Sequence, residues 1–153
     1  MTTLLLKEND ITMNTPIGGN VQISKILPAV KQAQKLVIKP ILGKNLYNKI
    51  VSDYESNNLS GLYLELYDDY INPMLIHKAT EYFFSYGAYS ISDKGIYKAT
   101  GADNEGLNKG EVDYLAKAQK GYYENYKSDL FNFLKDNGKN IPEYKEEKTK
   151  NTK

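Results

Sequence analysis

Several residue types that carry chemistry are missing or scarce in this chain. It has no cysteine and a single histidine, His77. The lack of cysteine excludes disulfides, thiolate metal ligands and cysteine nucleophiles together. No segment approaches the roughly 20 consecutive apolar residues of a membrane-spanning helix. The apolar run in the opening MTTLLLKEND is too short, and lacks the basic leader, for a signal peptide. We therefore expect no membrane partner.

Arginine is also absent, so all 20 basic residues are lysine, against 19 acidic residues. Proteins that read DNA sequence usually rely on arginine for paired hydrogen bonds to guanine and phosphate. A near-neutral chain without arginine therefore argues against DNA recognition as the main task. A codon bias toward lysine, asparagine, isoleucine and tyrosine also explains the missing arginine, which makes this argument a modest one.

The longest apolar-periodic stretch is Leu62–Tyr89, which is rich in tyrosine and phenylalanine. Its apolar residues follow a helical period, but the apolar face rotates at Pro73. Either a new helix begins there with Asn72 as its N-cap, or one helix runs through, kinked at Pro73 and buried on two sides. The rotation favours a break or a strong kink.

Other segments predict helices that cover this stretch. The first runs from about Ser24 to Ile38, with Pro28 in or near its first turn and Pro40 ending it. A second helix covers about Lys44 to Glu55. The last runs from Glu111 to Lys135, capped by Asn108 and ended by Asn137-Gly138. The inward stripe of the last helix comprises Val112, Leu115, Ala116, Gln119, Tyr122, Tyr123, Tyr126, Leu130, Phe133 and Leu134.

The remaining segments predict irregular structure. Residues 1–20 are expected to form an N-terminal arm with a short strand at Thr3–Leu6. The glycine-rich segment 91–110 predicts a loop with a small hairpin around Asp93-Lys94-Gly95. Residues 139–153 are polar and predict a flexible tail. The expected fold is thus mainly all-α: one domain over residues 1–138, with four to five helices in a bundle.

No residue set predicts catalysis, a cofactor or a metal ion. His77 has no nucleophile or acid at a catalytic spacing, so a packing role is favoured. Asp68 and Asp69 are adjacent and point in different directions on a helix, which favours a solvated face. Asp103, Asn104 and Glu105 resemble the start of a calcium loop, but Gly106 falls at the wrong position. We therefore expect no enzyme.

Aromatic side chains instead predict packing within the subunit and between subunits. Most tyrosines lie on inward stripes, where a polar tip suits a half-buried contact. Tyr114 and Phe131 lie off the stripe of the last helix and are candidates for a partner contact.

The order of segments resembles a known family. It runs LLLKENDI, a first helix, PILGKNLYNKI, a helical stretch with INP, ISDKGIYKATG, a glycine-rich segment, a long last helix and FLKDNGKNIPEY. This order is similar to that of small head-to-tail connector proteins of Bacteroidales phages, including the crAss-like group. The plan also resembles the helical adaptors that dock beneath the portal of tailed phages.

The resemblance implies a structural virion protein in the neck, assembled in the cytoplasm of the host bacterium. It implies a ring of identical subunits, matching a twelvefold portal, with the portal and an adjacent neck or tail ring protein as partners. DNA would pass through without being read in sequence. The partner-contact candidates on this reading are Ile91, Asp93, Lys94, Gly95, Ile96 and Tyr97, with Ile141, Pro142 and Tyr144. The alternative is a small nucleic-acid-binding or regulatory helical domain.

Overall fold

The computed structural model describes residues 3–17, 23–86, 89–92, 95–98 and 109–144. It confirms the all-α class, and the described residues form five continuous helical stretches. The helices are α1 (Glu8–Asn14), α2 (Ile23–Ala33), α3 (Lys39–Leu42), α4 (Lys44–Glu55), α5 (Gly61–Leu66), α6 (Asn72–Tyr86) and α7 (Lys109–Asn137). Two π-helical turns join helices without a break: Gln34–Ile38 joins α2 to α3, and Tyr67–Ile71 joins α5 to α6.

Helix α6 is the centre of the bundle. It packs against α2 and, more extensively, against α7. Met74, Leu75, Ile76 and Ala79 are all fully buried or nearly so, and they point to different sides of the helix. A helix that is apolar around most of its circumference must have neighbours on more than one side. The predicted organising role of this stretch is confirmed.

The expected break of the helix at Pro73 is wrong. The chain stays helical through Asn72, whose φ and ψ are −60° and −50°. The Asn72 N–H donates to the carbonyl of Tyr67, five residues earlier, instead of to the residue four earlier. A proline ring normally clashes with the carbonyl four residues before it, and the wider π turn relieves that clash. The alternative, one helix buried on two sides, is what the structure shows.

Pro40 is accommodated in the same way, so the expected end of the first helix at that residue is also wrong. The Lys39 N–H donates to the Gln34 carbonyl five residues earlier, and the helix continues to Leu42. Each π turn begins six residues before its proline. Gly43, with φ +82°, then ends the stretch in a conformation that glycine adopts without strain.

Pro28 is the sixth residue of α2, so it lies just beyond the first turn, near the place expected for it. The described residues before it, Ile23–Leu27, are α-helical, so its missing N–H leaves the Ser24 carbonyl without the usual helical donor. The predicted second helix, by contrast, is confirmed with the same bounds as α4. The sequence pattern predicts five inward residues in this helix: Leu46, Tyr47 and Ile50 are buried, and Val51 and Tyr54 are half-buried.

The expected N-terminal arm is wrong for residues 3–17, and no strand forms at Thr3–Leu6. This segment folds back on its own subunit, and Leu5, Ile11 and Ile17 are core residues. Helix α1 follows because Asp10 accepts a hydrogen bond from the Lys7 backbone N–H at 2.7 Å, which caps the first turn. The prediction of an extended arm did not take this helix cap into account.

The predicted hairpin is present. Strands β1 (Tyr89–Ser92) and β2 (Gly95–Lys98) pair antiparallel, with Ile91 opposite Ile96 and Ser92 opposite Gly95. Asp93, Lys94 and residues 99–108 of the glycine-rich segment lie outside the described residues. The predicted cap Asn108 lies outside them too.

Helix α7 is longer than predicted by about one turn. Its predicted stripe is buried or half-buried except at Tyr122, which is 52% exposed. That residue was wrongly placed inside. Tyr122 instead lies at the edge of the contact with α6, where its ring is 5.2 Å from that of His77.

The expected flexible tail begins too early, because residues 139–144 are packed on the bundle. Ile141 is fully buried, and the Tyr63 hydroxyl donates to Glu143 at 2.6 Å. Gly138 permits this return, since a Cβ there would lie 3.0 Å from the ring of Tyr144. Residues 145–153 lie outside the described part of the chain.

Candidate interaction surfaces

His77 joins α6 to α7 by packing and a hydrogen bond. Its Nδ1 lies 2.7 Å from Oε1 of buried Gln119, so Nδ1 carries the proton in this arrangement. Its ring stacks on Tyr126 at 5.8 Å and lies tilted against Tyr122. These contacts match the predicted packing role. Among the described residues, the side chains shown in contact with His77 are the Gln119 amide and the rings of Tyr122 and Tyr126.

Lys78 lies beside His77 and is held by rings and a carboxylate. Its Nζ is 4.5 Å from the ring centroid of Tyr123 and 5.3 Å from that of Tyr82. It also pairs with Glu81 at 2.8 Å. Burial raises the pKa of Tyr123 to about 12, helped by the negative charges of Glu124 and Glu81. This neutral phenol and paired lysine stabilise the α6–α7 contact.

A first outward-facing surface is acidic. We define the acidic patch as Glu65, Asp68, Asp69 and Asp129, all exposed. The Tyr70 ring lies 5.1 Å from the ring of Phe133, one helical turn after Asp129, so the π turn and α7 carry these acids close together. Burial first, and then the charges of Asp69, Glu65 and Asp129, raise the pKa of Tyr70. The predicted solvated position of Asp68 and Asp69 is confirmed. The patch brings together residues from α5, its π turn and α7.

A second surface is basic. We define the lysine groove as the cleft between the N-terminal segment and the α2–α3 stretch, with Lys31, Lys35 and Lys39 along it. Its other lining residues are Leu4, Leu27, Gln34 and Tyr47. Lys39 leans back over the Tyr47 ring at 5.6 Å from its centroid. The groove therefore combines positive charge with apolar walls.

These two surfaces follow a charge segregation that the net charge of +1 conceals. From Ile11 to Ser52 the chain has six lysines (Lys25, Lys31, Lys35, Lys39, Lys44 and Lys49) and no acidic residue. From Ile50 to His77 it has five acidic residues (Asp53, Glu55, Glu65, Asp68 and Asp69) and no lysine. Counting the charged residues segment by segment would have indicated both surfaces, whereas the net charge of the whole chain did not.

The charges on these surfaces do not pair with each other. The ion pairs among the described residues are Lys49–Asp53 and Lys78–Glu81. Neither pair includes a groove lysine or a patch carboxylate. Within the described part of the chain, both surfaces therefore present their charge to solvent or to another molecule.

Exposed apolar side chains accompany these charges. The predicted candidates Tyr114 and Phe131 are 72% and 43% exposed, and about 25 Å separates them along α7. Sequence reasoning missed Leu36, 59% exposed beside Lys35, and Leu64, 40% exposed beside Glu65. Leu36 follows Lys35 in the chain, and Leu64 lies one helical turn before Asp68, in a cleft that Lys7 and Asp53 also line.

The other residues predicted to contact a partner differ in how far they are buried. Ile141 is fully buried in its own core, so it is not a contact residue and that expectation is wrong. Tyr144 is half-buried against the bundle, and Pro142 is exposed. For Ile91, Gly95, Ile96 and Tyr97 the structure places the backbone in the hairpin, and their contact role stays a prediction.

The described residues contain no helix long and apolar enough to span a bilayer. They also contain no group of three or more metal-binding side chains placed to hold an ion. No curated protein and no solved structure matches the chain. Residues 38–153, about three quarters of the sequence, match a family of unknown function. The chain therefore belongs to the family of unknown function DUF6712.

Proposed function

We propose that this protein is a structural, non-catalytic head-to-tail connector of a tailed phage, which forms a ring below the portal. The observation that carries the proposal is the pair of oppositely charged, unpaired surfaces on one packed body. Two different complementary surfaces on each copy produce head-to-tail contacts, which close into a ring when the rotation between copies allows it. The resemblance of the segment order to phage adaptors points the same way.

The packed N-terminus changes how such a ring would be held together. Residues 3–17 belong to the subunit's own core and cannot embrace a neighbour while it is folded. The contacts between copies would therefore be made by helix faces, with Tyr114 and Phe131 available for the portal or an adjacent ring protein. The hairpin, β1 and β2, is a further candidate for these partners.

The charge balance suits a conduit for DNA. Tight binding of phosphates needs a surplus of positive charge and releases counterions. A chain with a net charge of +1 has little surplus to hold DNA as it passes. Twelve copies, to match the portal, is the stoichiometry that we propose.

The test is reconstitution with the portal protein from the same genome, followed by electron microscopy of the particles. A ring attached to the portal, and this polypeptide in the neck of purified virions, are the expected results. Its absence from the neck, or true catalytic turnover by the purified chain, would contradict the proposal.

One observation favours the alternative, a nucleic-acid-binding domain: the six-lysine block that lacks acidic residues. Binding through lysines alone would be insensitive to sequence and would weaken steeply with salt. Electrophoretic binding to random duplex at low salt, lost as salt is added, would support this alternative. We expect the chain to show little such binding.

A further inference from the structure

We infer that the lysine groove of one copy receives the acidic patch of a second copy. This inference deepens the proposed function, because it identifies the contact between neighbouring subunits of the ring. It commits to one occupant, another molecule of this same chain. The argument rests on charge, on unpaired groups and on the apolar side chains beside them.

The charges are complementary in sign and similar in number. Lys31, Lys35 and Lys39 line one surface, while Glu65, Asp68, Asp69 and Asp129 form the other. In the described part of the chain no groove lysine lies within ion-pairing distance of a patch carboxylate. The α6 helix, which packs against both α2 and α7, belongs to the same packed body as the two surfaces. Within the described residues these charges have no partner of opposite sign, so they are available to another molecule.

Apolar side chains favour a protein occupant over duplex DNA. Leu4 and Leu27 line the groove, and exposed Leu36 follows Lys35 in the chain. The acidic patch has an exposed apolar neighbour, Leu64, one helical turn before Asp68. Phosphates would satisfy the lysines but would leave these leucines in water. A second copy satisfies both, and its acids would also steer the encounter.

Charge reversal tests the contact in the full-length chain. Reversing the groove (K31E with K35E) or the patch (E65K with D69K) should each weaken self-association about tenfold or more, because like charges then meet. A chain carrying all four substitutions should associate again, as should a mixture of the two reversed chains. The control reverses two exposed lysines of α7, K117E with K120E, and should associate like the unmodified chain. Sedimentation velocity at low and high salt measures all six samples, the unmodified chain included.

Cysteine cross-linking reads the same contact directly, because the chain has no cysteine of its own. Leu36→Cys places one thiol next to Lys35 in the chain, and Leu64→Cys places the other one helical turn before Asp68. The mixture of these two chains should form the disulfide between different variants. Neither variant alone should form it efficiently, since the contact joins unlike surfaces.

Each outcome decides the inference. Restored association in the four-substitution chain, with the mixed disulfide, supports it. An unmodified chain that stays monomeric at its highest soluble concentration and gives no mixed disulfide overturns it. So does a groove reversal that abolishes duplex DNA binding while self-association is unchanged. Rings on the portal that survive groove reversal overturn this contact alone, whereas the absence of any ring overturns the proposed connector.

Discussion

Gln34 holds Leu5: its Oε1 accepts the Leu5 backbone N–H at 2.8 Å, in the buried interior. The Gln34 Nε2 donates to the Thr3 carbonyl at 2.8 Å and to the Tyr47 hydroxyl at 2.9 Å. On the other side, the Tyr67 hydroxyl donates to the Leu5 carbonyl at 2.9 Å. Gln34 and Tyr67 are the first residues of the two π turns, so each π turn supplies one side chain to the same N-terminal residue.

Replacing Gln34 by alanine should release the N-terminal segment. The substitution leaves the buried Leu5 N–H without its acceptor, and we expect a loss of about 2–3 kcal/mol in the free energy of unfolding. Urea denaturation measures it. The control is Gln32→Ala, at an exposed position two residues earlier, which should change stability by less than about 0.5 kcal/mol. Equal effects of both changes would show that the hydrogen bonds of Gln34 to the N-terminal segment contribute nothing to stability.

The prolines should differ according to the turn before them. Pro28→Ala should raise the free energy of unfolding by about 1–2 kcal/mol, because a helical hydrogen bond to Ser24 is restored. The gain is smaller than the full cost of an interior proline, since alanine also increases the conformational entropy of the unfolded chain. Pro73→Ala should change stability by less than about 1 kcal/mol, because the π turn already relieves the clash. Thermal melts of both variants measure this, and a larger gain at Pro73 would contradict our account.

Ile141→Ala should destabilise the protein by about 2–4 kcal/mol, as expected for a fully buried isoleucine. Lys139→Ala, at an exposed position nearby, should be close to neutral. Guanidinium denaturation of the two variants measures the difference. If both are neutral, residues 139–144 do not contribute to the core and the expected flexible tail is restored.

Stability should fall at high pH through the buried tyrosines. Burial, together with the hydrogen bond to Glu143, raises the pKa of Tyr63 to about 12, and burial raises the pKa of Tyr123 to about 12. Burial and neighbouring Tyr54 raise the pKa of Tyr67 as well. An unfolded tyrosine loses its proton near pH 10, so the unfolded state binds fewer protons than the folded state above that pH. These groups therefore stabilise fully below about pH 10, and this contribution is lost as pH rises toward about 12.

Urea midpoints across that range, with tyrosinate absorbance, measure the fall. Tyr63→Phe should make it shallower, because one raised pKa is removed. Tyr114→Phe is the matched control at a 72% exposed residue and should leave the slope unchanged. A slope that is the same in all three proteins would show that Tyr63 does not contribute.

The exposed aromatic side chains of α7 should matter more for assembly than for folding. Tyr114 is 72% exposed, so Tyr114→Ser should change the free energy of unfolding by less than about 0.5 kcal/mol. Phe131 is 43% exposed, so Phe131→Ser also removes some buried surface and should cost about 1 kcal/mol. Each should reduce the fraction of chain bound to the portal in a pull-down. Full binding by both variants would remove these residues from the contact.

The local features could be predicted from the sequence because their causes are local. The apolar period and Gly43 define α4 within its predicted bounds, and the turn residues around Asp93 predict the hairpin. The all-α class and the central position of the tyrosine-rich stretch follow from the same periodicity.

The tertiary structure decided the features that depend on distant contacts. Proline ends a helix unless a wider turn relieves its clash, and that turn forms here where the Gln34 and Tyr67 side chains reach Leu5. The polar sequence of residues 139–144 predicts a flexible segment. In the structure it is ordered by the hydrogen bond from Tyr63 to Glu143 and by the burial of Ile141 in the core. The lysine groove and the acidic patch likewise exist as surfaces only once α6 has packed against α2 and α7. Periodicity shows which residues will be buried, whereas only packing determines which of them meet.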